Sequence, residues 1–157
     1  MSDADRDALR SLLSPYARAV AELDLTDAER AQALLNERWP ASTLAPLRKA
    51  LIDANDAGWL TPKRATPELT FGRVSKPLPE LGGCSIDAVD MTGAGAPHTH
   101  PNGEVSLCFA THGAPRFMGF PEGWVVAAAG SRHVPTVTDG RMVIVYFLPG
   151  GAMVWDS

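Results

Sequence analysis

The first 60 residues of the chain carry apolar side chains at spacings of three and four, the pattern of helices that bury one face. The first predicted helix buries a face made of Leu9, Leu12, Leu13, Tyr16, Val20 and Leu23. Pro15 lies within this face, and because proline lacks a backbone donor we expect it to kink or split the helix.

Two more helices are predicted before residue 60. Thr26 followed by Glu29 has the spacing of a capping box, which marks the start of a helix, and Pro40 would end that helix. A third helix begins near Ser42, and Gly58 stands where a left-handed residue would close it.

Beyond Pro62 the pattern changes to short segments rich in β-branched and aromatic residues, interrupted by glycine and proline, which is typical of a sandwich or barrel. The predicted strands are 69–74, 84–91, 96–100, 104–110, 115–119, 123–127, 133–138 and 141–148. Asp139-Gly140 predicts a tight hairpin between the last two. We therefore expect a mainly β protein, with a helical segment over residues 1–60 packed on a β-barrel over residues 61–157.

Composition and charge narrow the class of protein. The 157 residues are 45% hydrophobic and 20% charged, which indicates one compact unit. The net charge of −4, without a dense Lys/Arg cluster, makes nucleic acid an unexpected partner. No apolar stretch approaches the roughly 20 residues that span a bilayer, so no membrane is expected and the predicted location is cytoplasmic. Cys84 and Cys108 form no CxxC pair and are expected to be buried free thiols.

Histidines supply the candidate chemistry, and all four lie in the C-terminal β portion. His98 and His100 are two apart, so on a strand their side chains project from one face, with Cα atoms roughly 6.6 Å apart. After the Pro-Asn-Gly turn that follows, Glu104 could fold back toward them, and His133 could come from a returning strand. A bare His-x-His pair is more often a chance feature of a solvated strand, but the two later residues favour a shared metal site.

Three imidazoles and one carboxylate form a mixed nitrogen and oxygen ligand set. Such a set suits one divalent transition metal ion, with Fe, Mn, Zn, Ni and Cu all compatible. Two coordination positions would stay open if the ion were octahedral, which points to catalysis or ligand capture.

The same residues carry a resemblance to a known superfamily. His98-x-His100-x3-Glu104 resembles the first cupin motif, and Ala128-x-Gly130-x2-His133 resembles the second, although Ala128 replaces the usual proline. The resemblance covers about residues 70–150 and implies a double-stranded β-helix with the metal among inward-facing side chains. Cupins commonly pair through barrel edges, so a homodimer is expected.

Two longer blocks, 72–77 (GRVSKP) and 98–110 (HTHPNGEVSLCFA), resemble the small bacterial 4-hydroxylaminobenzoate lyases. That resemblance implies conversion of 4-hydroxylaminobenzoate to 3,4-dihydroxybenzoate (protocatechuate) and ammonia, within nitroaromatic degradation. The reaction has no net redox change, so a Lewis-acidic metal would suffice. Two alternatives stay open: another cupin metalloenzyme such as an aromatic-acid dioxygenase, or a noncatalytic cupin that binds a small molecule through its metal.

Further site residues follow from the proposed substrate. Glu104 is a candidate proton acceptor as well as a ligand, and the remaining histidine, His112, could shuttle protons because imidazole titrates near neutrality.

An aromatic carboxylate also needs a cationic anchor. Arg73 and Lys76, in the first family block, rank above Arg132, which strand alternation turns away from His133, and Arg116 is a further candidate. Tyr146 shares strand parity with apolar neighbours and is expected to point into the barrel, where it could contact the substrate.

Overall fold

Three helices precede the β structure, as predicted. The structure is a computed structural model that describes residues 3–156. The α-helices are α1 (Asp3–Ala21), α2 (Ala28–Arg38) and α3 (Ala45–Asp56), and short 3-10 helices occupy Ala41–Thr43 and Pro79–Leu81. Gly58 has φ +87°, so the left-handed residue expected just beyond α3 is confirmed.

At Pro15 the structure excludes one of the two expected outcomes, a split helix, and the predicted cap of the second helix was wrong. Helix α1 is not split, because it continues through Pro15, and the Ser14 hydroxyl donates a 3.0 Å hydrogen bond to the Ser11 carbonyl that the proline cannot bond. Helix α2 is capped by Asp27, whose carboxylate accepts a bond from the Arg30 amide. Thr26 donates instead to Asp24, so the cap lies one residue later than predicted.

The strands of the described residues form two facing antiparallel sheets. Their bounds are β1 (Lys63–Thr66), β2 (Leu69–Ser75), β3 (Cys84–Ala94), β4 (His98–His100), β5 (Glu104–Phe117), β6 (Gly123–Ala127), β7 (Ser131–His133), β8 (Thr136–Pro149) and β9 (Val154–Trp155). The large sheet has the order β1-β2-β3-β8-β5-β6, and the small sheet has the order β7-β4-β9. The strand order of the large sheet differs from the sequence order because β8 lies between β3 and β5.

The hairpin predicted at Asp139-Gly140 does not form. Both residues have positive φ, at +63° and +151°, but β8 continues through them and stays paired with β3 and β5 on either side. The dipeptide thus forms a bulge in a long strand rather than a turn. Glycine is needed there because a Cβ on Gly140 would lie 2.1 Å from the His112 carbonyl oxygen. Segments 104–110 and 115–119 likewise belong to one strand, β5.

Strand alternation gives the large sheet two different faces. The outer face packs against the helices through residues such as Val105, Leu107 and Phe147, all of which are fully buried in the main core. Helix α2 also covers the edge strand β6, since Asn36 bonds both the amide and the carbonyl of Trp124. The inner face is left to meet the small sheet, and the candidate site lies between them.

Candidate functional site

Three histidine side chains converge between the two sheets. His98 lies on β4 and is paired in register with His133 on β7, while His100 follows two residues later on the same face of β4. Their Nε2 atoms form a triangle with sides of 3.0 Å (His98 to His100), 2.9 Å (His100 to His133) and 3.1 Å (His133 to His98). His98 and His100 are buried, and His133 is half-buried.

The protonation of His98 shows how this triangle could receive a cation. Its Nδ1 lies 2.9 Å from the Ala96 carbonyl oxygen, which can only accept, so Nδ1 carries the proton. In the neutral ring Nε2 is then a bare lone pair that faces two other imidazole nitrogens. Burial lowers the pKa of all three histidines, to about 3 for His100 and about 4 for His133, and favours the neutral rings that bind metals.

The spacing of the triangle fits a metal ion. Three nitrogen ligands held about 2.1 Å from one ion and at right angles to one another lie about 3.0 Å apart. The three observed distances are 2.9–3.1 Å, and His98 has the backbone partner on its second nitrogen that metal-binding histidines commonly use. The histidine cluster, meaning His98, His100 and His133, could therefore hold a divalent metal.

Glu104 stands beside the cluster rather than within it. It opens β5 on the inner face of the large sheet, and its Oε2 lies 3.3 Å from His100 Nε2. The Ser106 hydroxyl donates a 3.1 Å bond to Oε1. Burial raises the pKa of Glu104 to about 7. Its carboxyl group can thus carry a proton or approach a metal from one side of the cluster.

An apolar cavity of about 330 Å³ adjoins the cluster. Four of its lining residues have polar side chains, namely His98, Glu104, Ser106 and Tyr146. Tyr146 points inward, as predicted, and within residues 3–156 its hydroxyl makes no hydrogen bond. Burial raises the pKa of this phenol, helped by the nearby carboxylates, so the hydroxyl stays protonated and is available as a donor.

A row of polar residues crosses the inner face of the large sheet at the edge of this cavity. Register pairs join Arg73 to Asp87, Asp87 to Tyr146, and Tyr146 to Ser106, across strands β2, β3, β8 and β5. Arg73 Nε donates a 2.9 Å bond to Asp87, and its side chain is 53% exposed. Arg73 also follows Phe71, a cavity-lining residue, by two positions on the same face.

Three other predicted site residues lie away from the cavity. His112 is exposed on β5, near the bulge, and its Nδ1 contacts the Thr111 hydroxyl at 3.2 Å. Lys76 is exposed beyond the end of β2. Arg116 is exposed and bonds the Gly119 carbonyl at 3.1 Å. The geometry does not bring any of these three to the histidine cluster, because each side chain projects into solvent from a strand or a strand end.

Two polar residues of the site were not predicted. Ser106 and Asp87 are buried, and each contacts a residue that was predicted, Glu104 and Arg73 respectively. The sequence did contain signals for both. Ser106 is two residues from Glu104 and so shares its face of the strand, and Asp87 is the one charged residue within the mainly apolar run 84–89.

The described residues include no helix long and apolar enough to cross a membrane.

Among solved structures, the chain resembles the DMSP lyase DddQ from Ruegeria pomeroyi DSS-3, at a TM-score of 0.47 and 19% identity over 71% of this chain and 67% of that one. It also resembles an RmlC-like cupin protein from Ralstonia eutropha, at a TM-score of 0.44 and 16% identity. That match covers 62% of this chain and 66% of the cupin protein. Three helices followed by antiparallel sheets agree with the mainly β architecture predicted from the sequence.

Sequence comparison gives a narrower relationship. A protein named 4-hydroxylaminobenzoate lyase from Pseudomonas putida is 28% identical over 141 residues, which cover 78% of this chain and 80% of the relative. A second protein of that name, from Nocardioides sp. (strain LMS-CY), is 29% identical over 99 residues, which cover 57% of this chain and 58% of the relative. The model of the family described as PnbB: 4-hydroxylaminobenzoate lyase matches residues 14–155. The chain therefore belongs to the 4-hydroxylaminobenzoate lyase family.

Proposed function

We propose that this protein is a metal-dependent lyase that converts 4-hydroxylaminobenzoate to 3,4-dihydroxybenzoate and ammonia, as a step in nitroaromatic breakdown. The observation that carries the proposal is the triangle of three Nε2 atoms, 2.9–3.1 Å apart, beside an apolar cavity. The substrate is proposed from the name of two relatives, 4-hydroxylaminobenzoate lyase. His98, His100 and His133 would hold one divalent transition metal, with Glu104 as a fourth ligand.

The proposed reaction balances without an oxidant. Cleavage of the N–O bond releases that oxygen as water, one water adds to the neighbouring ring carbon, and a second water displaces the nitrogen as ammonia. The net reaction consumes one water and leaves oxygen on two adjacent ring carbons. A divalent metal held by His98, His100 and His133 would supply Lewis acidity for polarising the hydroxylamino group.

Residues around the cavity supply the proton transfers. Glu104, whose pKa burial raises to about 7, is suited to exchange a proton with water or with the departing nitrogen at neutral pH. The Tyr146 hydroxyl, which has no partner in the described chain, donates a hydrogen bond to the substrate. Glu104 is itself buried, and reduced contact with bulk water strengthens its polar interactions.

Arg73 is the proposed anchor for the substrate carboxylate. It lies in the same row as Tyr146 with Asp87 between them, so at about 4.8 Å per strand its Cα is roughly 10 Å from that of Tyr146. This span suits a benzoate whose reacting nitrogen lies near the histidine cluster. Arg73 uses Nε and Nη2 toward Asp87, which leaves Nη1 to bind a carboxylate. Lys76 and Arg116 are weaker candidates because neither belongs to the row that joins Arg73 to Tyr146.

Replacement of this anchor should weaken substrate binding more than turnover. For Arg73→Gln we expect KM to rise about tenfold, the value of one hydrogen bond to a charged group, with a smaller change in kcat. Arg116→Gln is the matched control, because it removes the same charge from an exposed position bonded to Gly119. Steady-state kinetics of both variants measure the effect, and equal KM values would eliminate Arg73 as the anchor.

An anaerobic assay tests the function itself. The purified, metal-loaded protein is incubated with 4-hydroxylaminobenzoate without oxygen, and ammonia and 3,4-dihydroxybenzoate are followed together. Formation of both in equal amounts is expected for the lyase. Turnover only when oxygen is admitted would instead indicate a dioxygenase. Binding without turnover at full metal occupancy would indicate a noncatalytic binding protein.

A further inference from the structure

Trp155 is an exposed tryptophan that lies next to the histidine cluster. Its side chain lines the apolar cavity, and its ring centroid lies 4.9 Å from that of His98, with the two planes at 67°. The residue is nevertheless 59% exposed. A large aromatic side chain left so exposed beside a cavity is typical of a binding surface, since covering it with a ligand removes apolar area from water.

The backbone around Trp155 holds it in this position. Strand β9 pairs with β4, and Trp155 lies opposite His98 in that pairing. The next residue, Asp156, accepts two hydrogen bonds from Arg132 on β7, at 3.0 and 2.5 Å, and its amide donates to the Pro97 carbonyl at 3.3 Å. These contacts on either side limit the movement of the indole. They also explain why Arg132 is turned away from the cavity.

A second exposed ring lines the same cavity from the other sheet. Phe71 belongs to β2 of the large sheet, lines the same cavity and is 37% exposed. Residues of both sheets line the cavity, and each sheet contributes one exposed aromatic ring to it. Two such rings provide flat apolar surfaces that suit a planar ligand and give little advantage to an aliphatic one.

We propose that Trp155, together with Phe71 from the other sheet, stacks on the aromatic ring of the substrate and determines the specificity for aromatic acids. The proposal rests on the proposed function, because the ring that it positions is that of 4-hydroxylaminobenzoate. Contact between Trp155 and His98 places the stacked ring directly beside the cluster. The carboxylate end then extends along the inner face toward Arg73.

Binding of a nonreactive aromatic acid tests this proposal. Binding of 4-hydroxybenzoate to the metal-loaded protein is measured by titration calorimetry and by tryptophan fluorescence, with acetate as the nonaromatic control anion. Trp155→Ala should weaken binding of 4-hydroxybenzoate roughly three- to tenfold, the value of one aromatic contact, and Trp155→Phe should weaken it less. Acetate binding should not change. Metal content and melting temperature are recorded for every variant, because Trp155 touches a metal-binding histidine.

Fluorescence identifies which tryptophan meets the ligand. Quenching by 4-hydroxybenzoate should persist in Trp59→Phe, whose ring packs against the helical core, and should disappear in Trp155→Phe. The stacking proposal is overturned if Trp155→Ala and wild type bind the acid equally, or if the metal-loaded wild type binds no aromatic acid. Stacking that depends on Trp155 without any ammonia from 4-hydroxylaminobenzoate would support the aromatic site and refute the lyase.

Discussion

Replacing His133 with alanine should change metal-free and metal-loaded stability in different ways. The His133 Nε2 lies 2.9 and 3.1 Å from two other imidazole nitrogens, so without a metal ion its removal should relieve repulsion between lone pairs. The residue is only half-buried and borders a cavity, so little packing is lost. We expect the melting temperature of the metal-free variant to equal or slightly exceed that of the wild type.

The metal-dependent part of the stability should be lost. Metal at 100 times the wild-type dissociation constant stabilises the folded protein by about 2.7 kcal/mol, or about 5–10 °C in melting temperature for a chain of this size. The binding free energy of a tight metal site is about 10–16 kcal/mol, so each of three or four ligands contributes about 3 kcal/mol. Loss of one ligand should therefore weaken metal binding about 100-fold. At the same metal concentration the variant then gains only about 0.4 kcal/mol, or roughly 1 °C.

Thermal unfolding followed by circular dichroism, with and without metal, measures both effects. His112→Ala is the matched control, because it removes the one histidine outside the cluster from an exposed position. That control should keep the full metal-induced increase. A His133→Ala variant with the same increase as the wild type would refute the proposed ligand set.

Three further predictions concern other parts of the molecule. Tyr146→Phe should lower kcat about 100-fold at unchanged metal content, since it removes a donor to the substrate; unaltered kinetics would exclude that role. Gly72→Ala should lower the melting temperature by about 2–8 °C, because its Cβ would lie 2.1 Å from the Leu60 carbonyl oxygen. Both cysteines should resist thiol reagents at pH 8 until the protein unfolds, because burial raises their pKa, to about 11 for Cys84; rapid labelling of the folded protein would contradict this.

Local patterns predicted the helices, the inward tyrosine and the spacing of the histidines, because each depends on a period of a few residues. The prediction at Asp139-Gly140 was wrong for a physical reason. Positive φ angles at two successive residues suit a hairpin and a bulge equally, and the choice depends on pairing with distant strands. Strand β8 has a partner on both sides, so continuation keeps its backbone groups bonded.

Convergence of the site also depends on long-range contacts that no local pattern contains. His98 and His133 meet because β4 pairs with β7 across 35 residues, and Arg73 joins the row of Tyr146 because β3 lies between their strands. His112 lies in the same β portion of the sequence as the cluster, yet its side chain faces solvent, so position in the sequence alone did not identify the site residues. Strand parity identifies which residues share a face, but only the strand order shows which faces meet.

If the histidine cluster holds the catalytic ion, ammonia release must depend on bound metal. Metal-free protein is titrated anaerobically with a divalent transition metal, and the initial rate of ammonia formation from 4-hydroxylaminobenzoate is compared with the metal bound per chain. We expect a rate that rises in proportion to bound metal and levels off at one ion per chain. Ammonia release at full rate from metal-free protein, or a fully loaded protein that releases none, would contradict it.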